Sequence, residues 1–335
     1  MLLRFSSLLL VITLSLPAHG CSRPDEGSPA VVDEGNAAQL KAGRRRVEPT
    51  SWDTVYVIGG AEQDTLLLLP RLLSARNGQL YVYDYGVSRL NAFDAAGRLR
   101  WQFGRRGGGP EEFGNPLDME VGPDGSIWLA DAGNGRLTRV TASGELRDML
   151  RHEGMVVRDV IPLRGRLLVT RVSPGDTLWL ALDGQGRSVG AGRAPVRDLA
   201  QAHPIVRQSY SVVGDDSSLW ATVFPFGDLL LVYQDSVLRC HGRLVEGEPF
   251  PGQPSQEMQE SIWAVAAVVA DSSVFVLPRG RSPYALRALD EYSARDCRYL
   301  RTLPLPEKVA AMAYSAGTFY FEHENPAPTI LALRR

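Results

Sequence analysis

Asn77–Arg100 reads NGQLYVYDYGVSRLNAFDAAGRLR, and Asp124–Arg147 reads DGSIWLADAGNGRLTRVTASGELR. The second stretch follows the first at an offset of 47 residues without a gap. They share Gly78/Gly125, Asp84/Asp131, Gly86/Gly133, Arg89/Arg136, Leu90/Leu137, Ala95/Ala142, Gly97/Gly144, Leu99/Leu146 and Arg100/Arg147. Self-similarity at a fixed period of this size marks a chain built by repeating one supersecondary unit. In each copy an apolar run (Leu80–Tyr83, Ile127–Ala130) leads into a loop, a second run (Arg89–Phe93, Arg136–Val140), a turn ending in Gly97 or Gly144, and a third run. That order predicts antiparallel strands joined by short turns.

Working outward, Leu72–Leu73 and Leu117–Val121 supply an inner fourth strand to each copy. Weaker copies follow. One reads Val160–Leu163, Arg166–Arg171, Thr177–Leu182 and Arg187–Gly190; the next reads Leu219–Val223, Leu229–Tyr233, Val237–His241 and Arg243–Glu246. Another reads Ala264–Val269, Val274–Leu277, Tyr284–Leu289 and Arg298–Leu303. The last copy, Ala310–Tyr314, Thr318–Glu322 and Thr329–Leu333, is one strand short, while Thr54–Ile58 belongs to no unit of its own. Joining the two closes a ring. The expected fold is all-β: a six-bladed β-propeller of four-stranded antiparallel blades over residues 51–335, closed by an N-terminal strand.

The pattern around Gly104–Phe113, with Pro116, Asp124-Gly125 and Asp131-Ala132-Gly133-Asn134-Gly135-Arg136 after it, resembles NHL-type repeats. In this the chain is similar to the NHL-repeat-like six-bladed β-propeller lipoproteins of Gram-negative bacteria. The likeness is strong over residues 78–150 and architectural beyond 156. It implies that ligands are taken at one mouth of the central channel, where the crossovers between blades and the loops joining second to third strands emerge together.

The N-terminus carries its own address. Residues 1–20 read as a secretory signal peptide with Arg4 ahead of an apolar segment from Leu8 to Leu16. Ala18-His19-Gly20-Cys21 resembles the bacterial lipoprotein cleavage box, which makes Cys21 the expected lipidation site and residues 21–50 a lipidated flexible tether ending in Arg44-Arg45-Arg46, a run expected to be solvated. The expected location is the cell envelope, periplasmic or at the outer membrane. The chain has 335 residues, 22% charged and 44% hydrophobic, with 36 basic against 38 acidic side chains for a net charge of −2. Nucleic acid is therefore not an expected partner, because no excess of positive charge exists to capture a polyanion.

Three groups of residues invite chemistry. Arg105, Arg106, Glu111 and Glu112 on the first crossover are expected around one mouth with Tyr85, Asn134, Arg171 and the Pro278–Ser282 loop, and of these Arg105, Arg106, Glu111, Asn134 and Arg171 form the candidate ligand-binding set. The glycines of Gly104–Gly109 do not form a phosphate loop, since no Gly-Lys-Ser/Thr follows and no helix is entered. The second group, Asp118, Glu120 and Asp159, projects from inner strands and is the alternative channel site, where one divalent cation would serve a lactonase-like hydrolase or lyase. Its ring is lopsided, because the inner strands of the fifth and sixth blades offer only Ala264-Val265-Ala266-Ala267 and Ala310-Ala311-Met312-Ala313. No His pair has metal-ligand spacing, no Gly-x-Ser-x-Gly occurs, and no metal or cofactor is expected. The third group is Cys240 and Cys297, an even pair in an oxidising compartment, expected either as a disulfide or as two half-buried thiols. The expected function is a non-catalytic ligand- or protein-binding module whose partner is a small molecule, a peptide or an envelope protein.

Overall fold

Each quoted stretch folds as its alternation dictates, and both faces of the resulting sheet are buried. In the first blade Tyr81, Tyr83, Leu90 and Ala92 pack against Met119, Val121 and Leu129 of the second. Leu80, Val82 and Phe93 face the other way, onto Tyr320, Ile330 and Ala332 of the sixth. The computed structural model describes residues 45–60, 66–151, 156–172, 175–251, 253–254, 262–280, 282–323 and 327–335. The leader, Cys21 and the tether up to residue 44 lie outside the described residues.

Six four-stranded antiparallel sheets form the ring. The first four blades run Pro70–Arg76 to Leu99–Phe103, Pro116–Val121 to Leu146–Arg151, Val157–Leu163 to Ser188–Arg193, and Tyr210–Val213 to Val237–Arg243. The fifth runs Ala264–Ala270 to Tyr299–Pro304. The sixth takes Ala311–Ser315, Thr318–His323 and Thr329–Arg334 from the end of the chain, and its outer strand, Asp53–Gly59, from the beginning. Thr54 pairs with Leu333, Val57 with Leu331 and Ile58 with Ile330, antiparallel. Inner strands touch their neighbours in cyclic order, so the fold is a closed six-bladed β-propeller.

The repeated glycines have steric reasons. A Cβ on Gly86 would stand 2.5 Å from the Leu68 side chain, and one on Gly133 2.5 Å from the Asn115 nitrogen. At both places the incoming segment lies directly on the loop between second and third strands. Gly97 and Gly144 have φ of +75° and +87°, and each is covered by an aromatic ring of the preceding blade's outer strand, Tyr56 and Trp101 respectively. Tyr56 thus occupies in the closing strand the place that Trp101 occupies in the first blade.

The weaker copies differ in register from the sequence reading. The fourth blade begins one strand earlier, at Tyr210–Val213, and Arg243–Glu246 does not continue as an outer strand. Leu244 and Val245 are buried there as a crossover, held by Leu244 N–H on the Asp228 carbonyl and Val245 N–H on the Tyr292 hydroxyl. Their burial gives them the apolar character of a strand. The inner strand was obscured because it is short and follows the helix Arg197–Gln201. The third strand of the fifth blade is Ala288–Ser293, four residues later than Tyr284 suggests, which brings Asp290 and Glu291 into the sheet.

Residues 45–48 are not part of a solvated tether. Val47 bridges in parallel to Thr302 on the outer edge of the fifth blade; Glu48 N–H donates to the Thr302 carbonyl, and Thr302 N–H to the Arg46 carbonyl. The Arg45 side chain is only 4% exposed. It forks onto both oxygens of Asp290 at 3.0 and 2.8 Å, pairs with Glu246, donates to Ser282 and lies 5.3 Å from the Tyr284 ring centroid. Burial alone would lower the pKa of this guanidinium, but the hydrogen bonds and charges of Asp290 and Glu246 outweigh it and hold the pKa raised. Trp52 then crosses to the sixth blade, its indole donating to the Pro304 carbonyl and its ring edge-on to Phe319 and Phe321. Cys240 and Cys297 form a disulfide, Cα to Cα 5.7 Å, that ties the outer strand of the fourth blade to the last turn of the fifth.

Candidate functional site

The expected outer-face residues are positioned mainly by one another. Arg105 pairs with Glu112 at 2.9 Å, and Arg105–Arg106 bridges in parallel to Glu112–Phe113. Asn134 donates to the Gly107 carbonyl and to Asp131, whose carboxylate accepts from the N–H groups of Gly114 and Asn115. Asp84 does the same for Leu68, Leu69 and Gly86. Arg136 is buried and donates to the carbonyls of Gly108, Gly109 and Glu112. The first crossover is thus folded down onto the second blade's loop. The repeated arginines are not equivalent, for Arg136 lies 3.9 Å from Asp131 whereas Arg89 reaches Gln102. Glu111 and Arg106 are exposed on the crossover, and Arg171 stands apart from them beside Arg158 and Arg207.

The residues that converge lie on the axis, around a cavity of about 740 Å³. Its polar sector comes from the first four blades. Glu120 accepts from the Ser74 hydroxyl at 2.9 Å and from Val213 N–H at 3.4 Å. Asp118 accepts from Val160 N–H at 2.8 Å; Asp159 is buried behind the lining, where it accepts from the hydroxyls of Ser209 and Ser211 at 2.6 and 2.8 Å. The opposite sector is apolar and small, built by Val265, Ala266 and Ala267 of the fifth blade and Ala311 and Met312 of the sixth. Among the described residues no group of three His, Cys, Asp or Glu side chains is arranged to hold a metal ion. Each of the three carboxyl groups is instead held by hydrogen bonds from the strands around it.

Removal from water pushes all three carboxyl groups upward. Glu120 rises to about 8, with hydrogen bonds from Ser74 and Val213 and the charge of Arg76 opposing. Asp118 goes well above the carboxylate range through burial, reinforced by the charges of Asp159 and Glu120. Asp159 rises through burial too, opposed by Arg158 and its serine donors. A carboxyl that holds its proton more tightly when folded destabilises the fold as pH climbs from the unfolded value through the folded one. Stability should therefore fall between about pH 4.5 and about pH 8. Glu120→Gln cannot ionise and should flatten that decline. At pH 8.5 the variant should be more stable than wild type by a few kcal/mol at most, a tenfold change in proton affinity being worth roughly 1.4 kcal/mol. Urea melts across this range check it; an unchanged slope would contradict the protonated state.

The rim of the cavity is cationic and aromatic. Arg71, Arg158 and Arg279 reach it from the first, third and fifth blades, with Tyr85 and Tyr210 between them. Arg71 is held at 3.0 Å by the buried Glu322, and Arg158 lies 5.2 Å from the Tyr210 ring centroid. At the opposite end, the buried Arg76 donates to the carbonyls of Val121, Gly214 and Asp215. Asp215 in turn accepts from Ser315 Oγ and Ala316 N–H. This chain of bonds ties the first, second, fourth and sixth blades across the axis. Of these residues the sequence reading placed Tyr85 and the Pro278–Ser282 loop near the mouth, and gave no role to Arg71, Arg76, Arg158, Tyr210 or Asp215. The available signal was a cation at the start of the inner strand in both the first and the third blades.

No family profile and no curated relative matches the sequence. Solved structures do. A Bacteroides fragilis protein described as exported has a TM-score of 0.59 at 12% identity, over 86% of this chain and 98% of its own. A member of the DUF4221 family from Bacteroides vulgatus gives 0.57 at 11%, over 85% and 96%. Virginiamycin B lyase from Staphylococcus aureus gives 0.51 at 10%, over 85% and 100%. The likeness is one of fold alone. It covers 96–100% of each of those chains, so the six-bladed architecture is common ground.

Proposed function

We propose that this chain is a non-catalytic ligand-binding propeller of the bacterial envelope, an NHL-repeat-like lipoprotein held by a lipid on Cys21, whose ligand occupies the axial cavity. The observation that carries the reading is the cavity itself: about 740 Å³, apolar on one side, hydrogen-bonding on the other and with three arginines at its rim. Volumes of a few hundred to a thousand Å³ with this mixture of linings are typical of small-molecule sites. The exported neighbour and the signal-like N-terminus support the location, and among the described residues no helix is long and apolar enough to cross a membrane.

A second reading, a metal-dependent hydrolase or lyase working through Asp118, Glu120 and Asp159, draws on the virginiamycin B lyase neighbour. A cation would have to draw these carboxylates away from the serine and backbone donors that hold them now. Native mass spectrometry of protein exposed to a small-molecule envelope extract separates the readings. Wild type should retain a small molecule that Ala266→Trp, which fills the cavity, does not. Equal behaviour of the two proteins would refute the site. A stoichiometric divalent ion lost in Asp118→Asn/Glu120→Gln, with turnover of a lactone panel, would replace binding by catalysis. Cys21→Ala should move the protein out of the membrane fraction.

A further inference from the structure

We propose that the axial cavity selects an amphipathic organic anion, its charged head at the arginine rim and its apolar body against the alanine and valine sector of the fifth and sixth blades. This rests on the binding reading above and names the ligand class. The rim supplies guanidinium donors, two of them held in place by contacts of their own side chains. Among the described residues Arg158 makes only a 3.4 Å hydrogen bond to the Ser209 carbonyl and a 3.8 Å approach to Asp159, and its guanidinium lies over the Tyr210 ring. Arg279 is exposed and has no side-chain hydrogen bond or ion pair among the described residues; its backbone is fixed by donation to the Trp263 carbonyl. Arg71 is oriented by Glu322, and the five donors of a guanidinium exceed what these contacts use at Arg158 and Arg279. Planar forks of this kind recognise carboxylate or phosphate oxygens in pairs.

The interior argues for the orientation. The small side chains at Ala266, Ala267 and Ala311 are what leave room on that side, and such a surface can be covered favourably only by an apolar group. The facing carboxyl groups of Asp118 and Glu120 repel a buried anion wherever they are ionised, whereas the guanidinium groups at the rim carry a permanent positive charge. An anionic head is therefore kept at the rim, over Arg158 and Arg279, while neutral polar atoms of the body can meet Ser74, Ser211 and the carboxyls.

Isothermal titration of the purified mature protein with decanoate, decanol and decyltrimethylammonium tests the class. Decanoate should bind at least tenfold tighter than either comparator, and acetate or inorganic phosphate should bind far more weakly than decanoate. Arg158→Gln/Arg279→Gln should erase the preference for decanoate over decanol, and Ala266→Trp should lose decanoate altogether. Should Ala266→Trp unfold by near-ultraviolet circular dichroism, Met312→Trp fills the same space from the neighbouring blade. Decyl phosphate binding as well as decanoate would keep the class and broaden the head. A preference for the cation or the alcohol, with loss in Ala266→Trp, would overturn the anion and leave the cavity as a binding site. Failure of wild type to bind decanoate overturns this inference, while the envelope-extract experiment decides the binding reading separately.

Discussion

A chain that lacks everything through Gly59 is expected to yield no soluble folded protein, whereas one that begins at Ser51 still closes its ring. The difference lies in the seven residues Asp53–Gly59, which pair along the whole of Thr329–Arg334. Ile58, 4% exposed, packs in the cluster that joins Leu80 and Val82 of the first blade to Tyr320 and Ile330 of the sixth. Tyr56 covers the Gly97 turn at the same seam. Without this strand a full row of backbone donors and acceptors is exposed at an edge that already carries an apolar face, a template for aggregation. The register offers a decisive control. Arg334 stands opposite Asp53, so a short turn after Arg335 can lead directly into the same strand from the other end. A permuted chain starting at Gly60, with Ser51–Gly59 appended after Arg335 through a Gly-containing turn, should recover soluble, monodisperse protein. If the truncated chain folds unaided, or the permuted one does not, the closing strand is not what holds the seam.

Arg45→Ala should cost about 3–5 kcal/mol in guanidinium-chloride unfolding, the usual penalty for stripping one partner from a buried ion pair. The side chains of Arg45 and Asp290 are 4% and 3% exposed, and after truncation Asp290 keeps only the Thr302 hydroxyl as a side-chain donor among the described residues. Arg45→Lys should recover only part of the loss, since an ammonium cannot fork onto both carboxylate oxygens. Arg46, adjacent in sequence but 70% exposed and paired with Glu48, sets the baseline: Arg46→Ala should change stability by no more than about 1 kcal/mol. Replacing Arg45 and Asp290 together by methionine should restore much of the stability, because the destabilisation arises from an uncompensated charge and not from the missing attraction. Equal effects at Arg45 and Arg46 would refute the docked position of this segment.

The closed ring of six blades was legible in the sequence because it rests on local properties. A gapless repeat from Asn77 to Arg147, apolar runs at strand length, a last copy one strand short and a spare strand at Thr54–Ile58 can all be read along the chain. Where the repeat decays the reading slipped by one strand, since a buried crossover such as Leu244-Val245 is as apolar as a strand and only hydrogen-bond partners tell them apart. The acidic sector was also legible, as Asp118, Glu120 and Asp159 sit on inner strands, but their protonation depends on burial that composition does not report. The arginines that reach the rim, the far end of the cavity and the fate of the arginine run were decided by tertiary structure. Arg45 meets Asp290 across 245 residues, Arg76 meets Asp215 across 139, and Arg71 meets Glu322 across 251. A charged side chain reads the same in sequence whether water or a distant carboxylate surrounds it, and here closure of the ring brings those distant partners together.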